Sequence, residues 1–424
     1  MHKNIIILTG VHPNKVSGKT VTDLKNLLKD QGNIVCIMSN IYLREELEDV
    51  ISVKSIFSIL KSRIKSKIKG LYKKTIPYNK NYYMFSQNSH EQKSKVNLIL
   101  KKMPFKPDIF IYIFPHHFLN EKDLNEINKR TGAPIYRYMA DMVEMTGGCH
   151  YAWDCEGYMK SCGKCPGLYS DNAKDITYEN LKFKKKYVDQ AEIYPIAASE
   201  WQFQQLSKSA VYSDKKKFKI LLPTDENTFY NRDRNKSRIA LGLPLDKKII
   251  FFGAVNTVAK RKGAKELLDA LNHLSELLPV ELRECIHLAV AGKVDSTFMD
   301  QLLFKTTSLG YLDYNALAVA YSASDVFVCP SIEDSGPTMI NQALMCKTPV
   351  VSFKMGVALD LVENHQTGYL AELGNPIDFA KGINQVLSLN DTEIELMRNN
   401  CYLKVASLSN KTAFYLNFSK ILNV

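Results

Sequence analysis

The amino-acid sequence predicts an α/β protein built from two domains, each a parallel β-sheet with helices on both faces. Three observations carry that prediction. Short apolar runs alternate with segments of helical period through the chain, the pattern of strand–helix–strand units. At 424 residues the chain exceeds the length at which one hydrophobic core stops growing, so two domains of about 200 residues are expected. A polar stretch of little periodicity, PTDENTFYNRDRNKS at 223–237, interrupts the alternation near the middle. The domains are placed at 1–220 and 221–424, facing a central cleft into which the carboxyl ends of the strands present ligands.

The first strand is expected at 5–8. It leads into LTGVHPNKVSGKT (8–20), a loop ending in Gly18-Lys19-Thr20 ahead of a helical-looking stretch. A phosphate-binding P-loop needs a further glycine at position 13, so that consecutive N–H groups curl around the phosphate. Pro13 stands there, without an N–H and with φ fixed, which argues against a nucleotide kinase. On the residues alone, Gly18 reads as a strand-to-helix turn.

A strand is expected at 34–38, and beyond it residues 51–90 contain no Asp or Glu. Val53, Ile56, Phe57, Leu60, Ile64, Ile68 and Leu71 recur at the spacing of one helix face. Lys54, Lys61, Arg63, Lys65, Lys67, Lys69, Lys73 and Lys74 fill the remaining positions. This pattern suits either a helix lying on an anionic membrane surface or a core-facing helix with solvated lysines. The net charge of +12 (56 basic, 44 acidic residues) favours an anionic partner. Nucleic acid is not expected, because the basic run has no groove-reading or base-stacking motif. No uncharged apolar run reaches the length of a membrane span, and the start shows no signal-peptide layout. Nine cysteines without an export signal point to a reducing cytoplasm.

Further strands are expected at 109–113, followed by His116 and His117, at 134–138, and at 194–198. After the fourth comes DMVEMTGGCHYAWDCEGYMKSCGKCPGL, a cysteine-rich insertion at about 145–170. Cys149, Cys155, Cys162 and Cys165 lie within 17 residues and meet the ligand count of a closed tetrahedral zinc site. Buried thiols packing a long loop are the alternative. A second series of runs follows at 218–222, 249–252, 286–291, 326–329 and 349–353, with helical patterns at 264–278 and 315–323. The loop after 326–329 holds Asp334, Ser335, Gly336 and Pro337, and a helix is expected from Thr338 to Met345. Gly336 admits close approach of a ligand, and the helix start offers free N–H groups and a positive dipole end, as a diphosphate requires.

Read together, these segments resemble the retaining glycosyltransferases of family 4, whose two Rossmann-like domains form the GT-B fold. That family's signature is Glu, seven residues, Glu, then Ala and a Gly-Thr-Pro-Val-Val turn. On this chain the acids fall on Asp334 and Gln342, followed by Ala343, with Lys347 in place of the turn glycine before Thr348-Pro349-Val350-Val351. The segment FFGAVNTVAKRKGAKELLDAL is similar to the family's diphosphate-gripping strand–loop–helix, with Lys262 in the lysine position and Arg261 beside it. The arginine often found earlier in that segment is Ala254 here. The resemblance implies donor binding by Lys262, Arg261, Gly336, Ser335, Pro337, Thr338, Gln342, Gly356 and Gly18, with Asp334 and Asp141 as catalytic carboxylates.

A similar cysteine-rich insertion occurs in a branch of the family that builds capsule, colanic-acid-like and O-antigen polysaccharides. That branch reads His-Asp where this chain reads Ala140-Asp141. The resemblance further implies transfer from a UDP- or GDP-linked sugar to a lipid-linked oligosaccharide acceptor, on the inner face of the plasma membrane. It also implies that the last helix packs back on the first domain. A non-catalytic subunit on the same fold is the alternative, suggested by Ala140 and Gln342. No two aspartates are separated by a single residue, so no metal-binding acid pair is present and catalytic magnesium is not expected. The leaving diphosphate would then be neutralised by lysine and helix dipole.

Overall fold

The computed structural model describes residues 2–13, 16–43, 45–54, 77–83, 94–115, 118–256, 259–293 and 296–422. It divides into two compact units: Met1–Ala198 with Gln202–Ile220 and Asn417–Val424, and Ser199–Trp201 with Leu221–Leu416.

The first unit threads β1 (Asn4–Thr9), α1 (Val16–Asp30), β2 (Ile34–Ser39), β3 (Val50–Ser52), α2 (Val96–Lys102) and β4 (Ile109–Ile113). It continues with α3 (Glu121–Thr131), β5 (Ile135–Tyr138), α4 (Ile176–Asp189), β6 (Ile193–Ala197), α5 (Glu200–Lys208) and β7 (Phe218–Lys219). The strands form one sheet in the order β3-β2-β1-β4-β5-β6-β7, every neighbouring pair parallel. Ile5, Ile6, Ile7 and Leu8 are wholly buried. A parallel strand covered on both faces has no solvent side, so it reads as a continuous apolar run rather than an alternation.

The second unit holds α6 (Arg234–Leu241), β8 (Lys248–Asn256), α7 (Ala264–Leu277), α8 (Val280–Glu284), β9 (Ile286–Lys293), α9 (Ser296–Met299), β10 (Lys305–Gly310), α10 (Tyr314–Ala323) and β11 (Val326–Cys329). After these come α11 (Thr338–Met345), β12 (Val350–Phe353), α12 (Ala358–Leu361), β13 (Gly368–Ala371), α13 (Pro376–Leu387), α14 (Asp391–Ser409) and α15 (Lys411–Leu422), the last of which passes at Asn417 into the first unit. Its sheet order is β10-β9-β8-β11-β12-β13, again parallel throughout. In both sheets the order reverses between the first strand and the fourth. Those are the points where a doubly wound sheet opens a crevice beyond its strand ends.

Helix boundaries follow local chemistry. Asn120 caps α3 by accepting the Asp123 N–H at 2.9 Å, and Gly132 ends that helix at φ 73°. Asn390 and Glu393 form a capping box on α14.

Three strands were not expected. β10, KTTSLG, lies on a sheet edge with no fully buried residue, so it lacks an apolar run. β3 and β13 are three and four residues long and also sit at edges. The run at 218–222, grouped above with the second series, supplies β7 to the first sheet, where Phe218 pairs with Ile196. The lysine-flanked stripe beyond Lys54 lies outside the described residues, as do His116 and His117. Residues from Asn417 onward belong to the first unit, where the Tyr136 hydroxyl donates to the Ile421 carbonyl at 3.0 Å.

Candidate active site

At the carboxyl end of β8, the turn Lys260–Lys262 closes with Gly263 at φ 70°. A Cβ on Gly263 would lie 1.7 Å from the Pro330 carbonyl oxygen, so only glycine lets this turn press against the segment leaving β11. The Arg261 carbonyl accepts the Ile332 N–H at 2.9 Å, locking the two segments together.

This contact aims two cations at one carboxylate. Asp334 Oδ2 accepts from Arg261 Nη1 at 2.7 Å and from Lys262 Nζ at 2.5 Å, while Oδ1 accepts the Gly336 N–H at 3.2 Å. Burial alone would raise the Asp334 carboxyl. Lys262, then Arg261, overcome it and hold the group below its ordinary value. The Ser335 hydroxyl is buried and has no hydrogen-bond partner among the described residues. Pro337 precedes α11, no side chain among the described residues caps that helix start, and the Ile340 N–H turns back to the Pro337 carbonyl at 3.0 Å, which leaves the Thr338 and Met339 N–H groups outside the helix's own bonds.

Gly356, at φ 57°, packs the loop after β12 onto this segment: a Cβ there would stand 2.7 Å from the Asp334 carbonyl oxygen. Thr338 is exposed. Gln342 is buried one turn further along α11, with Oε1 accepting from the Tyr321 hydroxyl at 3.3 Å. One unit therefore assembles Lys262, Arg261, Asp334, Ser335, Gly336, Pro337, Thr338, Gln342 and Gly356 at the reversal point of its sheet. Glu333, buried in the same loop, was not picked from sequence because the spacing pointed only to its neighbour.

The other sequence candidates lie in the first unit. Gly18 falls inside α1, where a Cβ would meet the His12 carbonyl oxygen at 1.9 Å. The loop's own backbone thus accounts for this glycine. Asp141 follows β5 and is held on both oxygens: Oδ1 accepts the Val143 N–H at 2.8 Å, and Oδ2 meets His150 Nδ1 at 2.6 Å. Sequence reasoning missed His150, whose only signal was its place beside Cys149.

Cys149, Cys155, Cys162 and Cys165 line one small cavity of about 20 Å³ with Tyr82, Ala152 and Tyr158. They are free thiols. Burial pushes Cys149 and Cys165 up and Cys162 to about 12. Among the described residues no three His, Cys, Asp or Glu side chains converge as ligands of one metal ion.

Two doubly wound parallel units, one with a cationic anion-type site at its sheet reversal, define the GT-B class of glycosyltransferase folds. The chain superposes on the sucrose-phosphate synthase of Thermosynechococcus elongatus over 99% of its own length and 98% of that chain, with TM-score 0.68 at 17% identity. It superposes on Anabaena HepE in complex with UDP-glucose over the full length of both chains, with TM-score 0.61 at 15% identity. Residues 233–401, the segment that carries the Asp334 cluster, match the family described as Glycosyl transferases group 1.

An uncharacterised glycosyltransferase of Methanocaldococcus jannaschii is 25% identical over 239 residues, 53% of this chain and 57% of that protein. A D-inositol 3-phosphate glycosyltransferase of Geodermatophilus obscurus is 30% identical over 176 residues, covering 39% of this chain and 38% of that protein. The match thus spans about half or less of these relatives' own lengths.

Proposed function

We propose that this protein is a retaining glycosyltransferase that moves a sugar from a UDP- or GDP-linked donor to a lipid-linked glycan acceptor in surface-polysaccharide synthesis. One observation carries the reading: Lys262 and Arg261 converge beside an uncapped helix start, inside the segment matching group 1 glycosyltransferases. A diphosphate has the charge and oxygens that two cations and free N–H groups recognise. In this reading Asp334 holds the cations in place until the diphosphate engages them, then turns to hydroxyls of the donor sugar. Stabilisation of the leaving group comes from prepositioned charge, without a catalytic metal. UDP-glucose in HepE supports a nucleotide-sugar donor, and the name of the Geodermatophilus relative supports a hydroxyl acceptor bearing phosphate.

A non-catalytic subunit is the second reading, favoured by Gln342, whose Oε1 is already engaged by Tyr321 rather than presented as a carboxylate. Incubation with a panel of nucleotide-sugars and a membrane-lipid extract separates the two. Release of nucleoside diphosphate that depends on the extract supports the enzyme. Binding without release supports the subunit.

A further inference from the structure

We infer that His150 is a positioning residue for Asp141, and that the first part of the cysteine-rich segment serves to deliver it there. The inference rests on the resemblance's reading of Asp141 as a catalytic carboxylate, taken here to serve the acceptor side of the proposed reaction. Asp141 stands just beyond the carboxyl end of β5, the end at which parallel sheets present ligands. Its Oδ2 lies 2.6 Å from His150 Nδ1. A carboxylate accepts, so Nδ1 carries the proton. With Oδ1 on the Val143 N–H, both oxygens are tied and the carboxylate plane is fixed. A second histidine–carboxylate pair, His273 with Glu276, is looser at 3.5 Å and spans neighbouring positions of one helix.

The chain is built to return His150 to this point. The Thr146 hydroxyl donates to the Cys149 carbonyl at 2.7 Å and accepts the Gly148 N–H at 3.2 Å, folding residues 146–149 back on themselves. The His150 carbonyl accepts the Met142 N–H at 3.2 Å, and the His150 N–H donates to the Tyr82 carbonyl at 3.0 Å. Helix α4 secures the arm from beneath. Lys184 Nζ donates to the Val143 carbonyl and, at 2.9 Å, to the Thr146 carbonyl. Asn180 Nδ2 donates to the Gly147 carbonyl at 3.0 Å. A Cβ on Gly147 would stand 2.4 Å from the Thr177 carbonyl oxygen, so glycine is needed where the arm crosses that helix. Both side chains of the pair keep about a fifth of their surface open, 20% for Asp141 and 23% for His150. The carboxylate is thus oriented yet within reach of a ligand.

The test compares His150→Asn, whose amide nitrogen falls near Nδ1, with His150→Gln, whose amide falls near Nε2, and with His150→Ala. Acting through Asp141, His150 is replaceable by Asn. His150→Gln and His150→Ala should lower kcat/KM for the acceptor about 100-fold, with donor KM unchanged and most of the loss recovered in His150→Asn. Asn no better than Gln, or wild-type transfer by His150→Ala, would overturn the inference. If the wild-type protein transfers no sugar, the functional reading fails, and ¹⁵N-histidine NMR then decides the pair. A protonated Nδ1 on His150 whose signal moves in Asp141→Asn supports it. An unprotonated Nδ1, or one indifferent to Asp141→Asn, refutes it.

Discussion

Glu144 shows how far a single residue can stand from its ordinary chemistry in this fold. It is buried three positions after Asp141, with Oε1 4.0 Å from Arg137 Nη2 and Oε2 without a hydrogen-bond partner among the described residues. Burial pushes its carboxyl up to about 7, Arg137 opposes, and Asp141 adds to the rise. A carboxyl raised in the folded state binds its proton more tightly there than when unfolded. Its stabilising contribution is therefore complete below the unfolded value near 4.5 and is lost as pH climbs through about 7. Thermal unfolding should show stability declining across that window, and Glu144→Gln should flatten the decline. A decline of unchanged slope in the variant would remove Glu144 as its source. Asp334 carries the opposite sign: held low chiefly by Lys262, it contributes stability that is lost only as pH falls through its depressed value.

At the scale of elements, what the sequence disclosed depended on burial. The strands of the sheet interiors, such as β1, β4, β8 and β11, were legible because burial on both faces leaves an apolar run. The edge strands β3, β10 and β13 were not, because they are short or, in β10, exposed and polar. The loop after β11 was legible from the order Asp334, Gly336, Gln342, where a glycine precedes a helix start. The Asp334 ion pairs were hidden, because Lys262 and Asp334 stand 72 positions apart and meet only through the turn at Gly263 and the Arg261–Ile332 hydrogen bond. The Asp141–His150 contact was hidden by a similar fold-back over nine residues.

The four thiols raise a question of elements too. They share one cavity, yet among the described residues no three such side chains are placed as ligands of one ion, so a zinc ion there would require the thiols to shift. We propose zinc on ligand count, with about one ion per chain by elemental analysis of freshly reduced protein, released in Cys162→Ser with loosening of the fold. Protein free of zinc would return these cysteines to packing.

For the whole molecule, the charge of +12 is the property with the widest reach. Among the described residues no helix is long and apolar enough to cross a membrane, and the membrane contact we propose is an electrostatic one. Each lysine near an anionic surface contributes about 1 kcal/mol, so four of the eight basic residues from Lys54 to Lys74 would give about a thousandfold in partitioning. Anionic vesicles should float the protein at low salt and release it as screening shortens from about 10 Å at 0.1 M to 3 Å at 1 M. Replacing Lys61, Arg63, Lys65 and Lys67 by Gln should weaken flotation. A wild-type protein that stays unbound at low salt would favour a core-facing helix with solvated lysines.

The central claim is that Lys262, with Arg261, grips the diphosphate of a nucleotide donor. Calorimetric titration of UDP- and GDP-sugars into the wild-type protein and Lys262→Ala tests it most directly. Loss of a charge-assisted hydrogen bond should weaken binding by about 1.5–3 kcal/mol, or roughly 10- to 150-fold. Equal affinity in the two proteins, or no binding of either donor class by the wild type, would contradict the account.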